Sequence, residues 1–194
     1  GHAIVGHVLP TQDPVHQISI IPSGRALGYT LSLPETDKTS VYRQELKEEI
    51  AMLLGGRVAE ALVLGDISTG ASNDIEKATA TARNMVMKYG MSESLGPINY
   101  GASGGEVFIG RDMGQVKDYS EATAAKIDGE VYRIISEGYK RTEDILNKYM
   151  DKLHEVAGYL ITHEKMSGED FDAMMKGTFV PEAEVEETSE ETEA

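Results

Sequence analysis

Residues 127–160 read IDGEVYRIISEGYKRTEDILNKYMDKLHEVAGYL, and this stretch decides the fold class. Its apolar positions, Ile127, Val131, Ile134, Ile135, Ile145, Leu146, Tyr149, Leu153 and Leu160, follow a sustained three- and four-residue spacing. That is the period of a helix with one buried stripe. The spacing predicts either one very long helix or a helical hairpin. Just beyond it, Ser167 with Asp170 three residues on predicts the capped start of a last short helix.

Working back from this stretch, Leu46, Ile50, Leu53, Leu54, Val58, Ala61 and Leu62 fit one face of a helix running from about residue 39 to Gly65. Gly55 and Gly56 fall inside it, at a cost of about 1 kcal/mol each relative to Ala. That cost predicts another backbone packed closely against the pair. A second helix is expected over about 73–88, with Gly90 as its stop. The opening GHAIVGHVLP reads as the end of a helix limited by Pro10. Between these lie two strands. Residues 15–21 are rich in β-branched side chains and are closed by Pro22, while Leu27, Tyr29, Leu31 and Leu33 alternate with Gly28, Thr30 and Ser32 as in a half-buried strand. Ser23-Gly24-Arg25 supplies a hairpin connection. Residues 101–118 are Gly-rich and expected to be irregular, apart from a short strand at 107–109, as a flap or as a plain loop. The fold expected is mainly α (α+β), with a small β-hairpin near the N-terminus and a C-terminal bundle of long helices.

The 194 residues include no cysteine, which excludes a disulfide framework, a cysteine nucleophile and a thiolate metal site. Acidic residues outnumber Lys and Arg by 33 to 18, a net charge of -15 that disfavours a nucleic-acid partner. Seven Glu fall in PEAEVEETSEETEA at the end of the chain. Residues 178–194 are expected to be an acidic disordered tail, following a domain over 1–177. No apolar run approaches the roughly 18 residues of a membrane span, so the piece itself is expected to be soluble.

Five histidines are available for chemistry. His154-Glu155 and His163-Glu164 open like H-E-x-x-H, but neither has a histidine four residues after the first. They read as ordinary helix residues. His2 and His7 are five apart, about 140° around a helix, and cannot share one helical site. His16 lies in a strand and reads as a surface or core residue. Asp74 has two readings from spacing alone. It sits at a helix start, where a carboxylate suits the dipole and Asn73 with Glu76 resembles a cap and its return partner, or it is a metal ligand. Arg57 and Glu60 read as an ordinary surface pair, and Met85, Met87, Met174 and Met175 as packing.

Several segments together carry a resemblance. Gly1-His2-Ala3, Pro14-Val15-His16, Gly24-Arg25-Ala26-Leu27-Gly28, Gly55-Gly56-Arg57, Ser68-Thr69-Gly70-Ala71-Ser72-Asn73-Asp74-Ile75, Ala82-Arg83-Asn84-Met85-Val86 and Ser92-Glu93-Ser94-Leu95-Gly96-Pro97 keep similar order and spacing over residues 1 to about 177. They resemble the proteolytic domain of the FtsH-type membrane-anchored AAA+ zinc metalloproteases. The resemblance implies a zincin-like helical metalloprotease in which H-E-x-x-H supplies two histidines and a glutamate base, and a distant aspartate completes the zinc site. His2 corresponds to the second histidine of that motif and Asp74 to the third ligand.

The first histidine and the glutamate base would lie upstream of Gly1, so no catalytic residue is assigned within this sequence. The chain as given is expected to bind zinc poorly and to be inactive. No G-x-x-x-x-G-K-[ST] occurs, so ATP would act only through an upstream AAA+ module. The resemblance further implies a homo-hexamer, transmembrane helices upstream, and unfolded, damaged, short-lived or unassembled proteins as substrates. It places the full-length protein at the cytoplasmic face of a bacterial inner membrane, with mitochondrial inner membrane and thylakoid also fitting. If the strand at 27–33 is an edge, an extended peptide could pair with it and so reach the zinc. The alternative from another class is a non-catalytic assembly module, built on the apolar surface of the helices after Tyr119.

Overall fold

The computed structural model describes residues 1–22, 28–34, 39–101 and 119–181. The expected hairpin connection at 23–25, the strand at 107–109 and nearly all of the acidic tail lie outside them. The architecture is mainly helical with one small antiparallel sheet. Two compact units form it: Gly1–Gln12 with Thr36–Lys148, and Asp13–Glu35 with Tyr149–Ala194.

The first unit contains α1 (His2–Val8), α2 (Arg43–Leu53), α3 (Gly55–Leu64), a 3-10 turn (Thr69–Ala71), α4 (Ser72–Met87) and α5 (Glu121–Lys148). The single helix expected over about 39–65 is two. Its start slips to Arg43, and at Leu54 the backbone relaxes to φ -76 and ψ -8, ending α2 one residue before α3 begins. Gly65 ends α3 in the left-handed conformation, as its missing Cβ allows. The core gathers Ile50 and Leu54 from the α2 end, Ala78, Ala82, Met85 and Val86 from α4, Leu95, and Ile127, Val131 and Ile134 from α5. Each large side chain buried this way contributes about 1.5–3 kcal/mol. Small Ala78 and Ala82 let α4 approach α2 and α5 closely. Thr142 is fully buried, and its hydroxyl donates to Ala51 O at 2.7 Å, tying α5 to α2.

The long periodic stretch is neither one helix nor wholly in this unit. It breaks at Tyr149 (φ -110, ψ 28) between α5 and α6 (Met150–His163). The predicted buried face is real: Ile127, Val131, Ile134 and Leu146 are buried on α5, and Leu153 and Leu160 on α6.

The second unit packs α6 and α7 (Gly168–Lys176) with β1 (Val15–Ser19), β2 (Tyr29–Ser32) and β3 (Lys165–Ser167), in the order β2-β1-β3. Ile18 pairs with Thr30 on one side and Met166 on the other. Ile18, Met166, Phe171 and Met174 are buried here. The predicted cap forms: Ser167 Oγ accepts from Asp170 N–H at 3.0 Å and donates to its carboxylate at 2.7 Å. β2 departs from expectation. Its alternation is present, but Tyr29, Leu31 and Leu33 are 40%, 39% and 46% exposed, so neither face is covered as a half-buried strand would be.

In the first unit a surface clamp holds the segment after α4 to α5. Glu130 meets Arg133 through two parallel bonds of 3.0 and 3.1 Å and accepts from the Ser92 hydroxyl at 2.6 Å. The Arg133 fork, followed by Ser92, holds the carboxyl at about 2, against the opposing effect of its partial burial. A depressed folded-state value means the clamp stabilises fully above the ordinary 4.5 and is lost as pH falls toward 2. Urea unfolding of Glu130→Gln beside the native protein is therefore expected to show a stability difference at neutral pH that closes between about pH 4.5 and 2. A difference constant across that range would remove Glu130 from the acid response.

Candidate metal centre

Two helices distant in sequence bring the site together. α1 starts at His2, and α4 carries Asp74 in its first turn. His2 Nε2 lies 3.0 Å from Asp74 Oδ2, across 72 residues of sequence. The two side chains are 34% and 27% exposed, so the pair is open to solvent on one side. The His2 contact pulls the Asp74 carboxyl below the usual carboxylate range, against a partial burial that would raise it. The cap expected from Asn73 and Glu76 does not form, since Ala71 is the N-cap with no side-chain bond, whereas Asp74 does lie in the first turn, where its carboxylate suits the helix dipole and also meets His2.

The floor under His2 is glycine. A Cβ built on Gly56 would stand 2.6 Å from His2 Cε1, and one on Gly55 would stand 2.9 Å from His2 N and 3.0 Å from its Cα. This is the close backbone approach that two glycines in one helix predict. The same helix also holds the segment leading into α4. Arg57 donates to Ser68 O at 3.0 Å, while Glu60 accepts from Ser68 N at 3.2 Å and from its hydroxyl at 2.7 Å. The Ser68 hydroxyl in turn accepts from Gly70 N at 3.1 Å and caps the 3-10 turn. Arg57 and Glu60 are thus a clamp on Ser68 and not the plain surface pair that their spacing suggests. A helix-period reading relates residues three or four apart, and it had no signal for partners eight and eleven residues on.

The remaining histidines are elsewhere. His7 faces outward on α1, His16 is exposed on β1, and His154 and His163 are exposed on α6. His163 stacks on Tyr159 with ring centroids 4.0 Å apart, and its Nδ1 meets Tyr159 O at 3.0 Å. Met85, Met87 and Met174 are buried or partly buried packing residues, as expected.

An imidazole nitrogen and a carboxylate oxygen are ordinary zinc donors, with bonds of about 2.0–2.1 Å that set neighbouring donors about 3.3 Å apart in a tetrahedron. The 3.0 Å between Nε2 and Oδ2 is close to that edge. The pair fits two positions of such a site. Among the described residues no group of three or more His, Asp or Glu gathers to complete it.

Adding a methyl at Gly56 tests the floor. Gly56→Ala removes a glycine from the first turn of α3, a gain in helix propensity below the roughly 1 kcal/mol of a helix interior, while pushing the imidazole off its seat. The unfolding midpoint is expected to hold or rise, and the His2 ring resonances in NMR spectra are expected to shift away from those of the Asp74-bonded form. Unchanged His2 resonances would show that the ring does not depend on this floor.

Comparison with known proteins agrees with the geometry. Peptidase family M41 matches residues 1–174. The chain is 56% identical over 177 residues to the ATP-dependent zinc metalloprotease FtsH 1 of Thermoanaerobacter sp. (strain X514), covering 91% of this chain and 29% of that protein. It is 53% identical to the ATP-dependent zinc metalloprotease FtsH of Caldicellulosiruptor bescii over 88% of this chain and 28% of the relative. To the FtsH of Thermotoga maritima it is 47% identical, over 92% and 30%. The chain therefore spans less than a third of the length of these relatives. With a family match over residues 1–174 and relatives 47–56% identical across about nine tenths of this chain, the chain belongs to peptidase family M41.

Proposed function

We propose that residues 1–177 form the peptidase domain of an ATP-dependent zinc endopeptidase, in which His2 Nε2 and Asp74 Oδ2 are two of the three protein ligands. The observation that carries this reading is the 3.0 Å approach of these two donors across 72 residues of sequence. The third ligand and the glutamate base are not assigned within this sequence. Zinc, when bound, supplies an activated water and polarises the scissile carbonyl. The chain's own part is to hold the imidazole by its glycine floor and the carboxylate by the first turn of α4. ATP use, a six-subunit ring, membrane attachment and the capture of unfolded or damaged proteins belong to the rest of the full-length protein. The names of the relatives support the ATP dependence. Among the described residues, no helix is long and apolar enough to cross a membrane.

Zinc analysis of the full-length protein beside Asp74→Ala tests the reading. About one zinc per chain is expected in the former, and in the variant its loss, with peptide hydrolysis falling by more than about a hundredfold. Zinc in neither protein would favour a non-catalytic assembly module.

We further propose that β2 receives substrate as an added strand. Leu33 N–H donates inward to Pro14 O, and the alternation of a strand then turns the Thr30 and Ser32 backbone groups away from β1. Among the described residues no strand pairs with that edge. An extended chain would find backbone partners there and apolar contacts at Tyr29 and Leu31. Thr30→Pro removes one outward donor without touching the β1 ladder. A severalfold higher Michaelis constant for peptides is expected, with kcat little changed, and unaltered kinetics would exclude this edge.

A further inference from the structure

One buried ionisable group takes no part in the site described above. Glu48 lies on α2 with its side chain 1% exposed, and its bonds reach Thr11, Gln44 of its own helix and Arg141. Its Oε2 accepts from the Thr11 backbone N–H at 3.0 Å and from the Thr11 hydroxyl at 2.6 Å. Its Oε1 accepts from Gln44 Nε2 at 2.8 Å and from the Arg141 guanidinium at 2.9 Å. Burial pushes this carboxyl up, but the Thr11, Gln44 and Arg141 donors outweigh it and hold it below its ordinary range. One carboxylate thus joins the exit of α1 to α2 and to α5.

A buried charge so fully bonded adds little net stability over an apolar residue of its size. What it adds is direction. α1 has only seven residues, too few to persist alone, and it buries Ala3, Ile4, Val5 and Gly6. Burial of Ile4 and Val5 sets which face of α1 turns inward, but apolar contacts are non-directional and fix the axial position and fine rotation of the helix less sharply than hydrogen bonds do. Yet a small slide along the axis, well short of the roughly 1.5 Å rise of one residue, is enough to loosen the 3.0 Å approach of His2 to Asp74. Thr11 follows α1 by three residues, and Leu9 N–H, bonded to Val5 O, continues the helix toward it.

We propose that Glu48 is a positioning residue for His2: by gripping Thr11 from α2, with Arg141 of α5 behind it, it fixes the rotation and axial position of α1 that set the imidazole opposite Asp74. The inference rests on the reading of His2 as a zinc ligand only for its functional consequence. The mechanical part stands on the bonds alone.

The test uses the full-length protease with Glu48→Gln, which keeps size and removes charge, and with Thr11→Val, which deletes one donor and leaves the other bonds to Glu48 in place. Val86→Ala in the core of α4 serves as a control for general destabilisation. In metal-free protein, hydrogen exchange at the Val5 and Leu9 amides is expected to speed up about tenfold relative to α5 amides in both variants, with the control unchanged in that ratio. The zinc dissociation constant is expected to rise about tenfold in Glu48→Gln and about threefold in Thr11→Val, the scale of outer-shell changes. Exchange in α1 that merely follows the control would overturn the proposal, as would lost α1 protection with zinc affinity unchanged. Should Glu48→Gln fail to fold, Thr11→Val decides. Native protein that takes up no zinc would sink the ligand reading instead, and the exchange ratio would then settle whether Glu48 fixes α1.

Discussion

The close approach of the His2 backbone to Gly55 and of its imidazole to Gly56 is the constraint around which the first unit is arranged. A Cβ at either position would overlap His2 or its backbone, so the first turn of α3 is left with two glycines in place of better helix formers. The return is a seat for a histidine at the very start of a short helix. The break at Leu54 belongs to the same arrangement. Ending α2 there lets Leu54 stay in the core while α3 sets off with its glycines toward α1. A continuous helix through residue 54 would fix the direction of α3 by that of α2 and leave no freedom to meet His2.

The sequence made the helical content legible because long amphipathic stripes are a local signal repeated many times. Nine apolar positions over residues 127–160 agree on one period, and Ile127, Val131, Ile134, Leu146, Leu153 and Leu160 are all buried. The Ser167–Asp170 cap was readable for the same reason, since its partners are three residues apart. The breaks at Leu54 and Tyr149 were not. Neither is a Gly or Pro, and the stripe runs through both, so only tertiary packing selects them. β3 was equally silent: Lys-Met-Ser has no periodicity, and its pairing with Gln17–Ser19 is what makes it a strand.

At the site the division is sharper. Asp74 had two readings from its surroundings, a helix-start carboxylate and a metal ligand, and only the first rested on local rules. The bond to His2 spans 72 residues and leaves no trace in spacing. Family resemblance placed these two residues together where periodicity had nothing to say. The glycine pair was a partial clue. Its cost announced a close contact but could not name the partner. Arg57, Glu60 and Ser68 were misread because their interaction crosses a turn, and Glu48 went unremarked because an acidic residue on a helix ordinarily faces water.

These bonds suggest why the metal pair needs so little of its own. His2 rests on Gly56, and the segment before Asp74 rests on Arg57 and Glu60, one and four residues further along the same helix. Both halves of the pair are therefore referred to one rigid element, and an error in the placement of α3 moves them together. The glycine contacts of α3 meet α1 only at its start, at Gly1 and His2, and leave the far end of that short helix without a directional bond. A directional tie is required at the far end of that helix. A buried carboxylate with four donors provides one, at a desolvation cost that an apolar contact would avoid but with an angular specificity that an apolar contact lacks.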